Sequence, residues 1–143
     1  VVASVLTYFL HEHVRKHRSG IVCGESNVLI RTGPDTVRAP DVAFFSTARI
    51  PPQGIPAKIW ERAPDLTIEV LSPSDRTAHV DSKTADWFAA GAREVWLIAP
   101  RGRSVEARYA NGSTRAFTDQ DVLVTDILPG LELPVARLFA DLD

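Results

Sequence analysis

The sequence predicts an α/β fold, a mixed sheet flanked by helices, and three features lead there. The opening residues carry a helical stripe of apolar side chains. Residues 65–100 read as strand, helix, strand. Asn111-Gly112 then sits between two β-prone runs, the strongest short hairpin signal in the chain.

In residues 1–17, Val2, Val5, Leu6, Phe9, Leu10 and Val14 recur at helical spacing. Arg15, Lys16 and Arg18 suit a helix C-terminus, and Ser19-Gly20 is the expected stop. IVCGESNVLI follows as a strand or bent hairpin arm, with Gly24 at a bulge or turn. After the turn-rich RTGPDT, RAPDVAFFS is a short strand opening at Pro40. Residues 46–63 hold Pro51, Pro52, Gly54 and Pro56 and show no period, so they form a loop, with one helical turn expected near Trp60.

The next strand, 65–71, alternates. Leu66, Ile68 and Val70 share one face, and Asp65, Thr67, Glu69 and Leu71 the other. Residues from about 77 to 90 form a helix with Val80, Trp87 and Phe88 on one stripe and Gly91 as its stop. EVWLIAP, 94–100, is apolar almost throughout, as in a strand buried on both faces. Strand, helix, strand makes a right-handed crossover joining parallel strands. SVEARYA and STRAFT form the hairpin, and DILPGLELPVARLFADLD a short strand and a closing helical turn. The order is α-β-β-β-α-β with an added C-terminal hairpin.

Composition limits the alternatives. A chain of 143 residues, 45% hydrophobic and 24% charged, is expected to be one globular domain, residues 1–143. The single cysteine, Cys23, excludes an intrachain disulfide and suits a reducing cytoplasmic setting. No apolar run reaches the roughly 18 residues that span a bilayer, so no membrane partner is expected. A net charge of −2 and a pI near 6.1 argue against a generic nucleic-acid binder, unless metal offsets the acids. The chain opens at Val1 without a methionine, and an upstream segment is expected.

The chemistry centres on two acids. Asp41 opens one strand and Glu69 sits in the middle of the next; on antiparallel neighbours their backbones would lie about 5 Å apart. Two carboxylates on one face would hold a divalent cation, with oxygen ligands that suit magnesium or manganese. Such a cation polarises a scissile phosphate and acidifies a bound water. A nearby positive group would help. Leu71 cannot supply one, whereas Lys83, on the following helix beside the buried stripe, can reach the sheet end.

Plainer roles stand beside these. Asp41 also suits a strand-entry turn, and Glu69 a bare ion pair with Lys83. Ser72 and Ser74 lack a glycine elbow and read as turn and cap residues. His13 and His17, at i and i+4, lack an evident third metal ligand, and His79 is a remote candidate for a general base. Arg15, Lys16 and Arg18 are either a solvated helix end or a weak DNA-contacting patch.

The run APDVAFF…APDLTIEVLSPSDR…K…W…GAREVWLIAPRGRSVEARY…LPGLELPVARLF resembles the Uma-two family, described as restriction endonucleases of the PD-(D/E)xK, restriction-endonuclease-like fold. The resemblance covers nearly the whole chain. It implies a Mg2+- or Mn2+-dependent endonuclease that hydrolyses DNA phosphodiester bonds. Asp41 and Glu69 match the two acids that hold the metal, and Lys83 matches a catalytic lysine moved from strand to helix. Asp65, about 13 Å from Glu69 along the strand at roughly 3.3 Å per residue, takes a supporting role. Family members carry an upstream acid that this chain lacks, and Glu25 is a partial substitute. Fold-level analogy adds a homodimer, with the apolar C-terminal segment as interface. The alternative is a catalytically silent module of the same fold that binds DNA or protein.

Overall fold

Helix α1, Val2–His17, follows from the apolar stripe: Val2, Leu6, Leu10 and Val14 are all buried. It ends at Arg18, which takes the left-handed conformation (φ 51°), while the Ser19 N–H bonds Val14 O at 3.3 Å. The reversal therefore falls one residue before the expected Ser19-Gly20. Gly20 is needed for another reason. A Cβ there would lie 2.1 Å from Phe45 O, so only glycine lets β1 (Gly20–Cys23) approach its neighbour this closely. The structure is a computed structural model and describes residues 1–142.

IVCGESNVLI is two strands. After β1 the chain bends at Gly24–Glu25, and β2 (Val28–Arg31) pairs with β3 (Thr36–Arg38) in a separate two-stranded sheet. β4 (Val42–Ser46) returns antiparallel to β1 and leads into a 3-10 turn at Thr47–Arg49. The helical turn expected near Trp60 is absent. Trp60 is extended instead: its N–H bonds Asn27 O at 2.9 Å, and its carbonyl accepts from Leu29 N–H at 2.8 Å. Its ring stacks on Phe45, with centroids 3.6 Å apart. Edge pairing to β2 satisfies the backbone groups that a helical turn would have paired internally.

β5 (Leu66–Val70), α2 (Thr77–Ala89) and β6 (Glu94–Ala99) form the predicted crossover with β5 and β6 parallel. α2 stops where Gly91 (φ 110°) donates to Phe88 O and Ala92 donates to Trp87 O, each at 3.0 Å. β7 (Ser104–Tyr109) and β8 (Thr114–Phe117) extend the sheet through the Asn111-Gly112 turn. Two short strands, β9 (Val122–Leu123) and β10 (Leu133–Pro134), and a final helix, α3 (Val135–Phe139), complete the order.

The main sheet runs β1-β4-β5-β6-β7-β8. One face, with Val42, Phe44, Leu66, Ile68, Trp96 and Ile98, packs against α1, α3 and the segment before α3. The other, with Ala43, Phe45, Val95 and Leu97, packs against Trp87 of α2 and Val28 and Ile30 of β2. This is the αβββαβ core and added hairpin, with β2–β3 as an insertion. The C-terminal segment is not a spare interface. Leu128, Leu131, Leu133, Val135, Leu138 and Phe139 are 0–5% exposed inside the chain's own core. Each fully buried large side chain contributes about 1.5–3 kcal/mol to this core, and withdrawing them from it would forfeit that. Among the described residues no helix is long and apolar enough to cross a membrane.

Candidate active site

The register of β4 and β5 brings the two acids together. Val42 faces Ile68 and Ala43 faces Thr67, so the next position sets Asp41 opposite Glu69. Residues opposite one another share a face, and alternation turns this pair away from Val42 and Ile68 toward α2. Asp41 lies immediately before β4 rather than within it. Its Oδ2 accepts the Val70 N–H at 2.7 Å, carrying the β4–β5 ladder one step further through a side chain.

Glu69 is 8% exposed. Its Oε2 accepts from Lys83 Nζ at 3.0 Å, while its Oε1 is buried with no partner. Burial pushes the Glu69 carboxyl above its ordinary value, with a further push from the Asp41 charge. The hydrogen bond and charge of Lys83, and the charge of Arg38, act against it. Lys83 reaches the acid from α2, as the sequence suggests, and Leu71 is half-buried beneath the same helix.

The three side chains line a cavity of about 210 Å³ together with Asp75, His79 and Leu97. A larger cavity, about 530 Å³, lies within the 48–62 loop. Its Arg49 is committed to the carbonyls of Ala63, Pro64 and Gly91 and to Asp65. Size does not decide between the two cavities. Only the smaller one joins paired acids to an amine, and only it contains a buried carboxylate oxygen in need of a partner.

Asp65 lies just before β5, at the opposite end from Glu69. Its Oδ1 accepts the Ser46 N–H at 2.6 Å, and its Oδ2 faces Arg49 and Arg93 at 3.4 and 3.6 Å. It ties down the β4 exit. Glu25 does not take the place expected of it. It lies in the bend after β1 rather than on a strand, is exposed, and lines a different cavity with Cys23 and Lys58. Arg15, Lys16 and Arg18 are exposed at the end of α1. α1 covers the Ile68 face and hands over to Gly20, opposite Ser46, so the trio sits at the far end and on the far side of the sheet from Asp41.

His13 and His17 stack, with centroids 4.1 Å apart, and each bonds a carbonyl, His13 that of Pro129 and His17 that of His13. Ser72 donates its N–H to Asp75 Oδ2 at 2.7 Å and so closes a turn, as expected of a turn residue. Cys23 is half-buried, and burial raises its thiol. Sequence reasoning missed Asp75 as part of the cavity wall, although the S-x-x-D spacing at 72–75 was readable. It also missed the link of Arg31 and Arg38 to Asp86, for which no local signal exists.

Among the described residues no three His, Cys, Asp or Glu side chains converge as a ready metal cage. Two carboxylates suit a hard cation that takes its remaining ligands from water and phosphate, as magnesium does. The unpartnered Glu69 Oε1 beside Asp41 fits that role.

No curated protein matches the chain. Among solved structures, one described as "a putative nuclease belonging to DUF820 from Anabaena variabilis ATCC 29413" superposes with a TM-score of 0.84 at 27% identity. The match covers 97% of this chain and 78% of that one. The family model Uma2, described as "Putative restriction endonuclease", matches residues 1–136. With the fold, the paired acids and this match in hand, the chain belongs to the Uma2 family.

Proposed function

We propose that the protein is a Mg2+- or Mn2+-dependent endonuclease that hydrolyses DNA phosphodiester bonds. One observation carries the proposal: Asp41 and Glu69 stand opposite each other on adjoining strands, and Lys83 meets Glu69 at 3.0 Å. The family and the solved neighbour, described as a nuclease, point the same way.

In this proposal Asp41 and Glu69 would hold the cation, which when bound would supply an acidified water and withdraw charge from the phosphate. Asp41 is fixed for this by the Val70 amide, and Glu69 by its strand and by Lys83. Lys83, its side chain 30% exposed, is a preorganised donor beside the pair, where its Nζ steadies the attacking water or the charge that develops on the phosphate. Burial of Glu69 limits the screening of its charge by bulk water. Two copies acting on opposite strands would make a double-strand cut, through a surface other than the C-terminal segment.

The test is nicking of supercoiled plasmid by the protein, with any natural upstream segment included. Cleavage should require Mn2+ or Mg2+ and should be lost in Glu69→Ala with the fold intact. Absence of cleavage in manganese overturns the proposal. The Lys83–Glu69 bond itself favours a second reading, a catalytically silent module in which that pair is only an internal ion pair. Calorimetry separates the two, because a silent module binds no manganese through Glu69.

A further inference from the structure

Two arginines from the β2–β3 hairpin converge on one carboxylate of α2. Arg31 Nη1 donates to Asp86 Oδ1 at 3.0 Å, and Arg38 Nε and Nη2 donate to Asp86 Oδ2 at 2.9 and 2.6 Å. Both oxygens of Asp86 are thereby occupied by guanidinium. The spacing ties this cluster to the active site: Arg38 lies three residues before Asp41, and Asp86 three residues after Lys83 on the same helix.

Arg38 also lies near enough to Glu69 for its charge to favour the ionised acid. Lys83 and Asp86 stand about one turn apart on α2, so the guanidinium held on Asp86 lies roughly a turn from the amine that meets Glu69, and two acceptors are open to it. One is Asp86, and the other is the Asp41–Glu69 pair, where Glu69 Oε1 is buried and without a partner. Guanidinium and carboxylate pair strongly and often through two bonds. On the acid pair, Arg38 would cover the oxygens that a cation needs. Val28 and Ile30 pack against Trp87 and fix the hairpin on α2, so the choice between acceptors falls to the torsions of the Arg38 side chain. Lys83 is a different case, because its single bond to Oε2 leaves Oε1 open.

We propose that Asp86 is a positioning residue that holds Arg38 on α2 and so keeps the Asp41–Glu69 pair open for a divalent cation. This rests on the proposal that the pair is a cation site. Arg31 completes the clamp by occupying the other Asp86 oxygen and has no direct part in the competition.

The experiment is calorimetric titration of Mn2+ into the full chain and into Asp86→Ala, Arg38→Ala and the double variant. Asp86→Ala should weaken Mn2+ binding by about tenfold or more, a normal size for coupled neighbours. Arg38→Ala should bind as the parent does, and the double variant should recover to the Arg38→Ala value. A clamp that merely joins the hairpin to α2 behaves otherwise, since each single variant breaks it and the double cannot repair it. Arg38→Ala as weak as Asp86→Ala, or a double variant that fails to recover, overturns the inference. If Asp86→Ala does not fold, Asp86→Asn with and without Arg38→Ala reads the same cycle. A parent protein that binds no Mn2+ overturns the cation site itself, a separate outcome from a parent that binds while the double variant stays weak.

Discussion

Lys83 Nζ meets Glu69 at Oε2 only, and Oε1 of the same carboxylate remains buried with no hydrogen bond. A closed internal ion pair would leave nothing unsatisfied. Half of this acid is still in need of a partner, at the wall it shares with Asp41.

That half-satisfied acid sets a pH dependence. The folded-state pKa of Glu69 is raised above its ordinary 4.5, so its contribution to stability is fully present below about pH 4.5 and is lost as pH rises through the folded value. Glu69→Gln keeps a neutral side chain at every pH. In thermal melts from pH 4 to pH 8 the melting temperature of Glu69→Gln minus that of the parent should grow with pH, and nicking should be absent throughout. A difference that shrinks with pH contradicts the buried-acid picture.

Lys83→Met removes the donor without removing the metal ligands. Plasmid nicking should fall by about 10²–10³-fold, the usual cost of a lost preorganised donor. Manganese affinity, measured by calorimetry, should persist. Loss of binding along with rate would move Lys83 from transition-state stabilisation to ligand positioning.

Metal should act on stability as well as on rate. A ligand that binds only the folded state at about 100 times its Kd adds about 2.7 kcal/mol. Mn2+ should therefore raise the melting temperature of the parent and leave Asp41→Asn unmoved. A chelator should abolish nicking while far-UV circular dichroism stays unchanged.

Asp65 predicts the opposite pattern. Asp65→Ala leaves the Ser46 amide, Arg49 and Arg93 without their shared acceptor, at a cost of about 2–4 kcal/mol for removing the buried acid that pairs the largely buried Arg49 and the Ser46 amide. Urea unfolding should show that loss, and Mn2+ affinity should not change.

The sequence made some of this legible because the physics is local. Alternation in residues 65–71 puts Ile68 and Glu69 on opposite faces, and an acid among apolar strand residues needs a partner, a requirement visible in the local sequence. Asp41 and Lys83 follow from the strand before and the helix after. The extended Trp60 is not legible locally, because its partners, Asn27 and Leu29, lie at the start of β2 some 30 residues earlier. The clamp on Asp86 spans 48 and 55 residues and leaves no trace in composition or spacing. Glu94 is a similar case. It is buried in a strand read as almost wholly apolar, and it is satisfied by Trp96 and by Thr125 far along the chain.

The packing of α1 against α3 and the segment before it has a consequence for how the domain forms. Leu6, Leu10 and Val14 share one cluster with Leu131, Leu138 and Phe139, residues more than 110 positions later. Until the ribosome has released that distant stretch, a nascent copy can cover the stripe of α1 only with the sheet and leaves the side that α3 closes open to the cell. Closure of this wall is thus a late, long-loop event, and interrupted translation products should be the form of this protein that most needs a chaperone.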